Sequence, residues 1–264
     1  HILEHSVLCG SKKYPVKEPF VELMKSSMNT FLNAMTYPDK TVYPISSRND
    51  KDFLNLTSVY LDAVFAPKIL ENPNIFYQEG IHIELDEENS AYKGVVFNEM
   101  KGAMSGVDDR IEQGINSLLF PDNCYRFNSG GDPAVIPDLT YNQFVETYRR
   151  FYHPSNARFF LDGDIPIEKT LEMIHSYLEK YDKSYKIPVL SMQKPVSNEG
   201  TAYYEIDDCQ NSDKKSVLAI GKIIGAYEEK EKIFAAKVLC DVLADSNASP
   251  LKRAVLSSGI AEDM

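Results

Sequence analysis

The chain opens on the five residues HILEH, in which two histidines, His1 and His5, stand four positions apart. Residues with this spacing lie one turn apart on the same face of an α-helix. The pattern therefore predicts a short helix, and Gly10 supplies the signal that ends it. On that helix both imidazoles can face a single ion, and Glu4 lies on the same side.

The order His-x-x-Glu-His is the inverted form of the zincin motif. Zinc is bound by imidazoles and carboxylates, and a site with three protein ligands keeps a fourth position for water, whose pKa falls to about 7. The motif predicts His1 and His5 as zinc ligands and Glu4 as the general base. It would arise by chance in roughly one such sequence in a hundred, so two surface histidines on an amphipathic helix remain the competing interpretation.

The best internal candidate for a third ligand is Glu99, in the segment GVVFNEMKG. This segment is apolar with helical spacing, and an unpaired carboxylate would be costly to bury there. A metal ion would offset that cost. A salt bridge from Glu99 to Lys101 or Arg110 explains the same residue without a metal, and spacing alone does not decide between the two.

Apolar periodicity and turn signals predict the order of helices and strands. Helices are predicted over 1–8, 19–28, 53–64, 94–104, 108–119, 140–152, 166–181, 228–243 and from 250 onward, with Asn49 or Asp50 and Thr140 as caps. Two strands over 30–37 and 41–47 form a predicted hairpin, and shorter strands are expected at 157–161, 202–206 and 216–224. This mixture predicts an α+β fold in which helices cover a largely antiparallel sheet.

The length of 264 residues favours two domains. A segment with two prolines and little periodicity divides the chain. We therefore expect a zinc-binding, catalytic α+β domain over 1–186, a linker over 187–200, and the beginning of a second α+β domain over 201–264. Because the chain starts without Met and inside a predicted helix, it is expected to be an N-terminal fragment of a longer polypeptide.

Net charge and cysteine spacing argue against several classes of protein. A formal net charge of −11 argues against nucleic acid as a partner, because phosphate binding needs clustered Lys and Arg. No run approaches 18 consecutive apolar residues, so no membrane-spanning helix is expected. The four cysteines are scattered and form no CxxC pair, which argues against a zinc ribbon and favours reduced thiols.

Three parts of the chain, 1–62, 94–102 and 152–158, resemble the pitrilysin/insulinase family of zinc peptidases. The most specific segments are HILEHSVLCGSKKYPVKEPF and KGVVFNEMKG, and the closest branch contains presequence protease and falcilysin. The resemblance covers most of the chain and implies the pitrilysin/insulinase-type fold. It implies one Zn²⁺ per chain, held by His1, His5 and Glu99, with Glu4 activating water. The implied activity is endopeptidase cleavage of short unstructured peptides, such as cleaved targeting peptides.

The segment Leu32-Asn33-Ala34 resembles the edge strand that pairs with an extended substrate in this family. Such pairing recognises peptide backbone rather than side chains, which suits broad specificity. An ordinary strand of the sheet is an equally good interpretation of any single residue there. Leu8, one turn beyond His5, could line the pocket beside the scissile bond or pack in the core.

Members of this branch are several times longer than 264 residues and enclose peptides between two halves. The resemblance implies that a distal half, a partner absent from this sequence, donates an Arg and a Tyr to the site. The expected compartment is the bacterial cytoplasm, or the mitochondrial matrix or another organelle in a eukaryote. Two alternatives are a non-catalytic structural homologue and a plain metal-binding or peptide-binding module. His82 and His153 lack partners at ligand spacing and are expected to be structural, whereas His175, with Glu172 and Glu179 at i−3 and i+4, is expected on a solvated helix face.

Overall fold

The computed structural model describes residues 1–17, 19–85, 89–182, 186, 188–206 and 215–264. Its helices are α1 (Ile2–Val7), α2 (Pro19–Ser26), α3 (Asp50–Phe65), α4 (Asn74–Glu79), α5 (Val95–Ala103), α6 (Val107–Leu119), α7 (Tyr141–Phe151), α8 (Ile167–Leu178), α9 (Lys230–Ala244) and α10 (Pro250–Ser258). Its strands are β1 (Asn29–Leu32), β2 (Met35–Thr36), β3 (Thr41–Val42), β4 (Ile45–Ser47), β5 (His82–Leu85) and β6 (Ser90–Lys93). The mixture of helices with antiparallel strands confirms the predicted α+β class.

The predicted hairpin forms between β1 and β4. Antiparallel pairing joins β1 to β4 and β2 to β3, so residues 29–47 fold back on themselves. The chain reverses between Tyr37 and Lys40, where the amide of Tyr37 donates to the carbonyl of Lys40 at 2.7 Å. A second antiparallel hairpin, β5–β6, was not predicted and leads directly into α5.

Two predicted helix caps are present. The side chain of Asn49 accepts a hydrogen bond from the amide of Asp52 at the start of α3. Thr140 forms a capping box with Gln143 at the start of α7. These caps satisfy amides that the first helical turn leaves without partners, which explains why both helix starts could be predicted from sequence.

Two apolar clusters form the core, and both lie before residue 182. The larger cluster joins side chains from α1, α4, α5 and α7, including Val7, Phe76, Val96 and Phe144. The smaller one lies between α3 and α8 and contains Leu61, Phe65 and Ile174. Helix α4 was missed by the sequence analysis because it has only six residues; its packing in the larger cluster, rather than its local sequence, stabilises it.

The strands predicted at 157–161, 202–206 and 216–224 do not form in the described residues. A strand needs a neighbour that completes its hydrogen bonds, and these segments find none among the described strands. Their apolar side chains are also uncovered, as Phe160, Leu218 and Ile220 are 87–90% exposed. Residues 207–214, between the last two segments, lie outside the described part of the chain.

The segment 189–200 has neither helix nor strand and runs beside α6. Gln193 donates to Asp122 at 2.9 Å, and Asn198 donates to the carbonyl of Leu118 at 2.9 Å. The linker assigned to 187–200 and the two flanking domains stay predictions. Among the described residues, no helix is both long and apolar enough to cross a membrane.

Asp62 joins three parts of the fold from the buried face of α3, where 4% of its surface is exposed. One carboxylate oxygen accepts from the amide of Lys13 at 2.6 Å, and the other accepts from the hydroxyl of Tyr177 on α8 at 3.0 Å. Burial, together with this carboxylate, raises the pKa of Tyr177, so its hydroxyl stays protonated and able to donate. Asp62 therefore connects the loop after α1 and helix α8 to α3.

The substitution Asp62→Ala is expected to lower the free energy of unfolding by about 2–4 kcal/mol, because two donors lose their acceptor. Urea denaturation followed by circular dichroism measures the change. Asp241→Ala, at an exposed position of α9, is the matched control and should change the free energy by less than about 0.5 kcal/mol. Equal effects of the two substitutions would contradict the role given to Asp62.

Candidate metal centre

Helix α1 presents two different faces. One face is buried against the protein and carries Glu4, Ser6 and Val7. The other face carries the side chains of His1 and His5, which are 12% and 26% exposed. The amide of His5 donates to the carbonyl of His1 at 3.1 Å, which places the two residues one helical turn apart. Their rings meet edge to face with centroids 4.8 Å apart.

The two imidazoles converge on one carboxylate oxygen. Nε2 of His1 lies 3.6 Å from Oε2 of Glu99, and Nε2 of His5 lies 3.7 Å from the same atom. Two ligands held by a tetrahedral zinc ion at 2.0–2.2 Å are about 3.4 Å apart. One donor atom each from His1, Glu4 and His5 also falls within 4.8 Å of the others. This donor set and its spacing fit a zinc ion.

The other nitrogen of each imidazole is held from behind. Nδ1 of His1 donates to the carbonyl oxygen of Gly130 at 2.9 Å, and Nδ1 of His5 faces Oε2 of Glu79 at 3.5 Å. A carbonyl or an ionised carboxylate can only accept, so the proton belongs on Nδ1. In the neutral form of each ring, Nε2 then carries the lone pair, and it faces the oxygen of Glu99.

His5 and Glu79 shift each other's pKa. The hydrogen bond with Glu79, helped by nearby carboxylates, raises the pKa of His5 against the opposing effect of burial. Burial raises the pKa of Glu79, but hydrogen bonds from His5, Gln78 and Cys9 outweigh it and hold that pKa below its usual range. The two pKa shifts share one contribution, since His5 and Glu79 each stabilise the charged form of the other.

The carboxylate of Glu4 is held by a residue that the sequence analysis missed. Glu4 is 7% exposed, and the hydroxyl of Thr36, on β2, donates to its Oε2 at 2.5 Å. Behind them the hydroxyls of Tyr43 and Tyr152 are 2.7 Å apart. Burial raises the pKa of Tyr43, and the carboxylate of Glu4 adds to the shift. Thr36 is 32 positions from Glu4, so no local pattern could have identified it.

Negative charge exceeds positive charge at this site. Three carboxylates, those of Glu4, Glu79 and Glu99, surround two imidazoles, and within the described residues no lysine or arginine pairs with them. The salt bridge from Glu99 to Lys101 or Arg110 is therefore not formed. Clustered carboxylates repel one another, so the arrangement favours a bound cation.

Glu99 is not buried, contrary to the prediction made from its apolar surroundings in the sequence. Helix α5 buries Val96, Phe97 and Met100, but the side chain of Glu99 is 52% exposed. The helical turn puts residue 99 on the opposite face, which opens towards α1. Its proximity to both imidazoles, not its burial, is what distinguishes it.

The proposed substrate-binding segment lies where β1 ends and β2 begins. Leu32 is the last residue of β1, while Asn33 and Ala34 lie between the two strands. The amide of Asn33 donates to the carbonyl of Pro44, and its own carbonyl accepts from the hydroxyl of Tyr60, each at 3.2 Å. The amide of Ala34 donates to the side-chain oxygen of Asn33 at 2.9 Å, so it already has a partner within the segment.

Leu8 and the remaining histidines lie apart from this arrangement. Leu8 follows α1 and packs against the larger apolar cluster. His82, His153 and His175 each contact a residue within five positions along the chain. The side chain of His175 is 75% exposed, as expected for a solvated face, and the structural role of His82 and His153 stays a prediction.

A glycine lets two helices of the site approach each other. Gly80 follows α4, which carries Glu79, and Gly94 precedes α5, which carries Glu99. A Cβ atom at Gly94 would lie 2.1 Å from the carbonyl oxygen of Gly80, too close for any side chain. The residue type at position 94 thus fixes how near the two carboxylates come to His5.

Residues 138–264 match a family model described as the Peptidase M16 inactive domain. The HILEH motif and Glu99 lie outside the matched residues. Among curated proteins, the chain is 48% identical to Protein HypA of Clostridium perfringens over 99% of its length, which is 27% of that protein. It is 43% identical to Presequence protease 1, chloroplastic/mitochondrial, of Arabidopsis thaliana, over 99% of this chain and 25% of the relative.

Mitochondrial presequence protease of Mus musculus is 37% identical over the whole chain, which covers 26% of that relative. The chain therefore spans about a quarter of the length of the curated relatives it matches. A solved protease from Helicobacter pylori has the same fold over 98% of this chain and 58% of its own, with a TM-score of 0.61 at 15% identity. Pitrilysin aligns over 75% of this chain and 20% of its own, with a TM-score of 0.52 at 19% identity.

Gly94→Ala should lower the free energy of unfolding of the metal-free chain by about 1–3 kcal/mol, because the new methyl group overlaps the backbone at Gly80. Gly102→Ala is the control in the same helix, since a Cβ there meets nothing within 4 Å. That substitution should instead raise the free energy by about 0.5–1 kcal/mol. Urea titrations of the two variants measure the change in the free energy of unfolding. Changes of the same sign would refute the claim that a side chain at position 94 overlaps the backbone at Gly80.

Proposed function

Since this chain belongs to the pitrilysin-type M16 peptidase family, we propose that it contributes the zinc centre of a metalloendopeptidase. The observation that carries the proposal is the convergence of Nε2 of His1 and Nε2 of His5 on one oxygen of Glu99, at 3.6 and 3.7 Å. These three residues are the proposed ligands of one Zn²⁺ per chain. The relatives named presequence protease support short unstructured peptides, such as cleaved targeting peptides, as substrates.

The reaction needs a base beside the scissile bond, and Glu4 has that role. When bound, zinc acts as a Lewis acid that polarises a carbonyl and lowers the pKa of water to about 7. Glu4 accepts a proton from the attacking water and later delivers it to the leaving amine nitrogen. Thr36 donates a hydrogen bond to one oxygen of the Glu4 carboxylate. The other oxygen is the one proposed to accept and release the proton.

The peptide is proposed to lie along Leu32, Asn33 and Ala34. Leu32 ends β1, and the backbone of a strand end suits pairing with an extended chain, for which the amide of Ala34 would exchange its bond to the side chain of Asn33. Leu8 packs against the larger apolar cluster with part of its side chain. Only the part that stays exposed is proposed to contact the substrate. The Arg and Tyr implied by the family resemblance would come from a further part of a longer polypeptide.

The description of the matched model, an inactive domain, favours a second candidate, a non-catalytic structural or peptide-binding homologue. That match begins at residue 138, after every residue of the proposed centre. A protein without hydrolytic activity would have no use for the general base Glu4 beside the ligands. Zinc binding without peptide cleavage by the longest polypeptide that carries this sequence would support the second candidate.

Bacterial and organellar proteins are both among the relatives. We place this protein in the bacterial cytoplasm, or in the mitochondrial matrix or another organelle of a eukaryote. Among the described residues, Cys124 and Cys240 are free thiols, which suits a reducing compartment.

Elemental analysis of the purified chain is expected to find about one zinc per molecule, as for a site with three protein ligands. His5→Ala and Glu99→Ala should each lower the zinc affinity by more than roughly 10–100-fold, which is the loss typical for changing a residue that contacts a ligand but not the metal. His82→Ala, which removes a histidine that contacts Tyr77 instead, should keep the zinc. Full retention of tightly bound zinc by Glu99→Ala would eliminate Glu99 as a ligand.

Glu4→Gln tests the base separately from the metal. This substitution keeps the size of the side chain, so zinc content should stay at the parent value while peptide cleavage falls by about 10²–10⁴-fold. Cleavage of an unstructured fluorogenic peptide is measured in the longest natural polypeptide that carries this sequence. Cleavage at the parent rate would refute the role of Glu4.

A further inference from the structure

Glu79 lies behind His5, on the side of the ring away from Glu99. Its Oε2 is 3.5 Å from Nδ1 of His5, whereas Nε2 of the same ring faces Glu99. Because Glu79 contacts the other ring nitrogen, it is not one of the groups that surround the proposed zinc position. No local sequence pattern identifies Glu79.

Glu79 is buried and fixed in place by further contacts. Its surface is 6% exposed, and its Oε1 accepts from the side-chain amide of Gln78 at 2.8 Å and from the thiol of Cys9 at 3.4 Å. These donors occupy Oε1 and leave Oε2 for His5. A buried carboxylate held by two neutral donors has a fixed direction, and that direction is towards Nδ1.

We propose that Glu79 is the positioning residue for His5, an inference that rests on the proposed zinc site. It keeps the proton of the neutral ring on Nδ1 and holds the ring so that the lone pair of Nε2 points to the ion. A hydrogen bond from Nδ1 to a carboxylate also makes Nε2 a stronger electron donor.

His1 shows what a neutral partner does at the same place. Nδ1 of His1 donates to the carbonyl of Gly130, which fixes the ring without adding charge. The two proposed ligands, one helical turn apart, therefore differ in the group that contacts Nδ1: a neutral carbonyl for His1 and a charged carboxylate for His5. The carboxylate behind His5 adds negative charge, which attracts a divalent cation and compensates the desolvation of the site.

The test compares the parent with Glu79→Gln, which keeps the shape of the side chain and removes its charge. Glu84→Gln is the matched control, because Glu84 is exposed on β5 and pairs with Lys93 at 3.6 Å. Four quantities are measured on each chain: zinc affinity by chelator competition, the absorption spectrum with Co²⁺, the His5 tautomer by ¹⁵N NMR without metal at alkaline pH, and the urea midpoint without metal.

We expect Glu79→Gln to weaken zinc binding by roughly 10–100-fold and to change the Co²⁺ spectrum. The ¹⁵N shifts should report a proton on Nδ1 of His5 in the parent and a shift towards the Nε2 tautomer in the variant. The urea midpoint should stay the same, which separates positioning from a structural role. Glu84→Gln should match the parent in all four measurements.

Glu79→Asp provides a second variant in case Glu79→Gln does not fold. It retains the buried charge but withdraws it from Nδ1 by one methylene group, so the tautomer and the affinity should shift in the same direction. If the parent binds zinc while both variants keep its affinity and its Nδ1 tautomer, the positioning role is overturned alone. If the parent binds no zinc, the proposed function is overturned, and the positioning role with it.

Discussion

The packing of α1 against the larger apolar cluster is the constraint on which the site depends. A helix of six residues is not stable alone, because nucleation costs more than so few hydrogen bonds return. Val7, with none of its surface exposed, anchors α1 to the core, and Glu4 is buried on the same side. With Val7 packed in the core, the spacing of the helix directs His1 and His5 away from it, and Glu4 lies between, with a donor atom within 4.8 Å of theirs.

The electrostatic balance of the site follows from this packing. Helices α4 and α5 bring Glu79 and Glu99 to the two sides of His5, and α1 itself contributes Glu4. Three carboxylates beside two imidazoles form an arrangement that water or a cation must stabilise. Thr36 partly offsets the charge by donating to Glu4. The carboxylates repel one another in the absence of an ion, and a divalent cation would relieve that repulsion by binding between them.

The later part of the chain differs from the part that holds the centre. Beyond residue 188, Ser249 is the one described residue that is buried. Apolar side chains on α9 are uncovered there, with Phe234 69% and Val242 61% exposed. Helices α9 and α10 nevertheless form where their periodicity predicted, because helical hydrogen bonds are local. The strands predicted nearby do not form, because a strand depends on a neighbour that the sequence cannot specify.

The sequence by itself determined what depends on nearby residues: the helix that spaces His1 and His5, the caps at Asn49 and Thr140, and the hairpin over 29–47. It also selected Glu99, through family resemblance rather than through the burial argument, which failed. Only the tertiary structure identified Thr36 and Glu79, because each meets α1 from a distant element. Backbone hydrogen bonding and side-chain periodicity act within a few residues, and a local pattern records them. The contacts that orient a ligand or a base join separate elements, so they exist only once the core has packed.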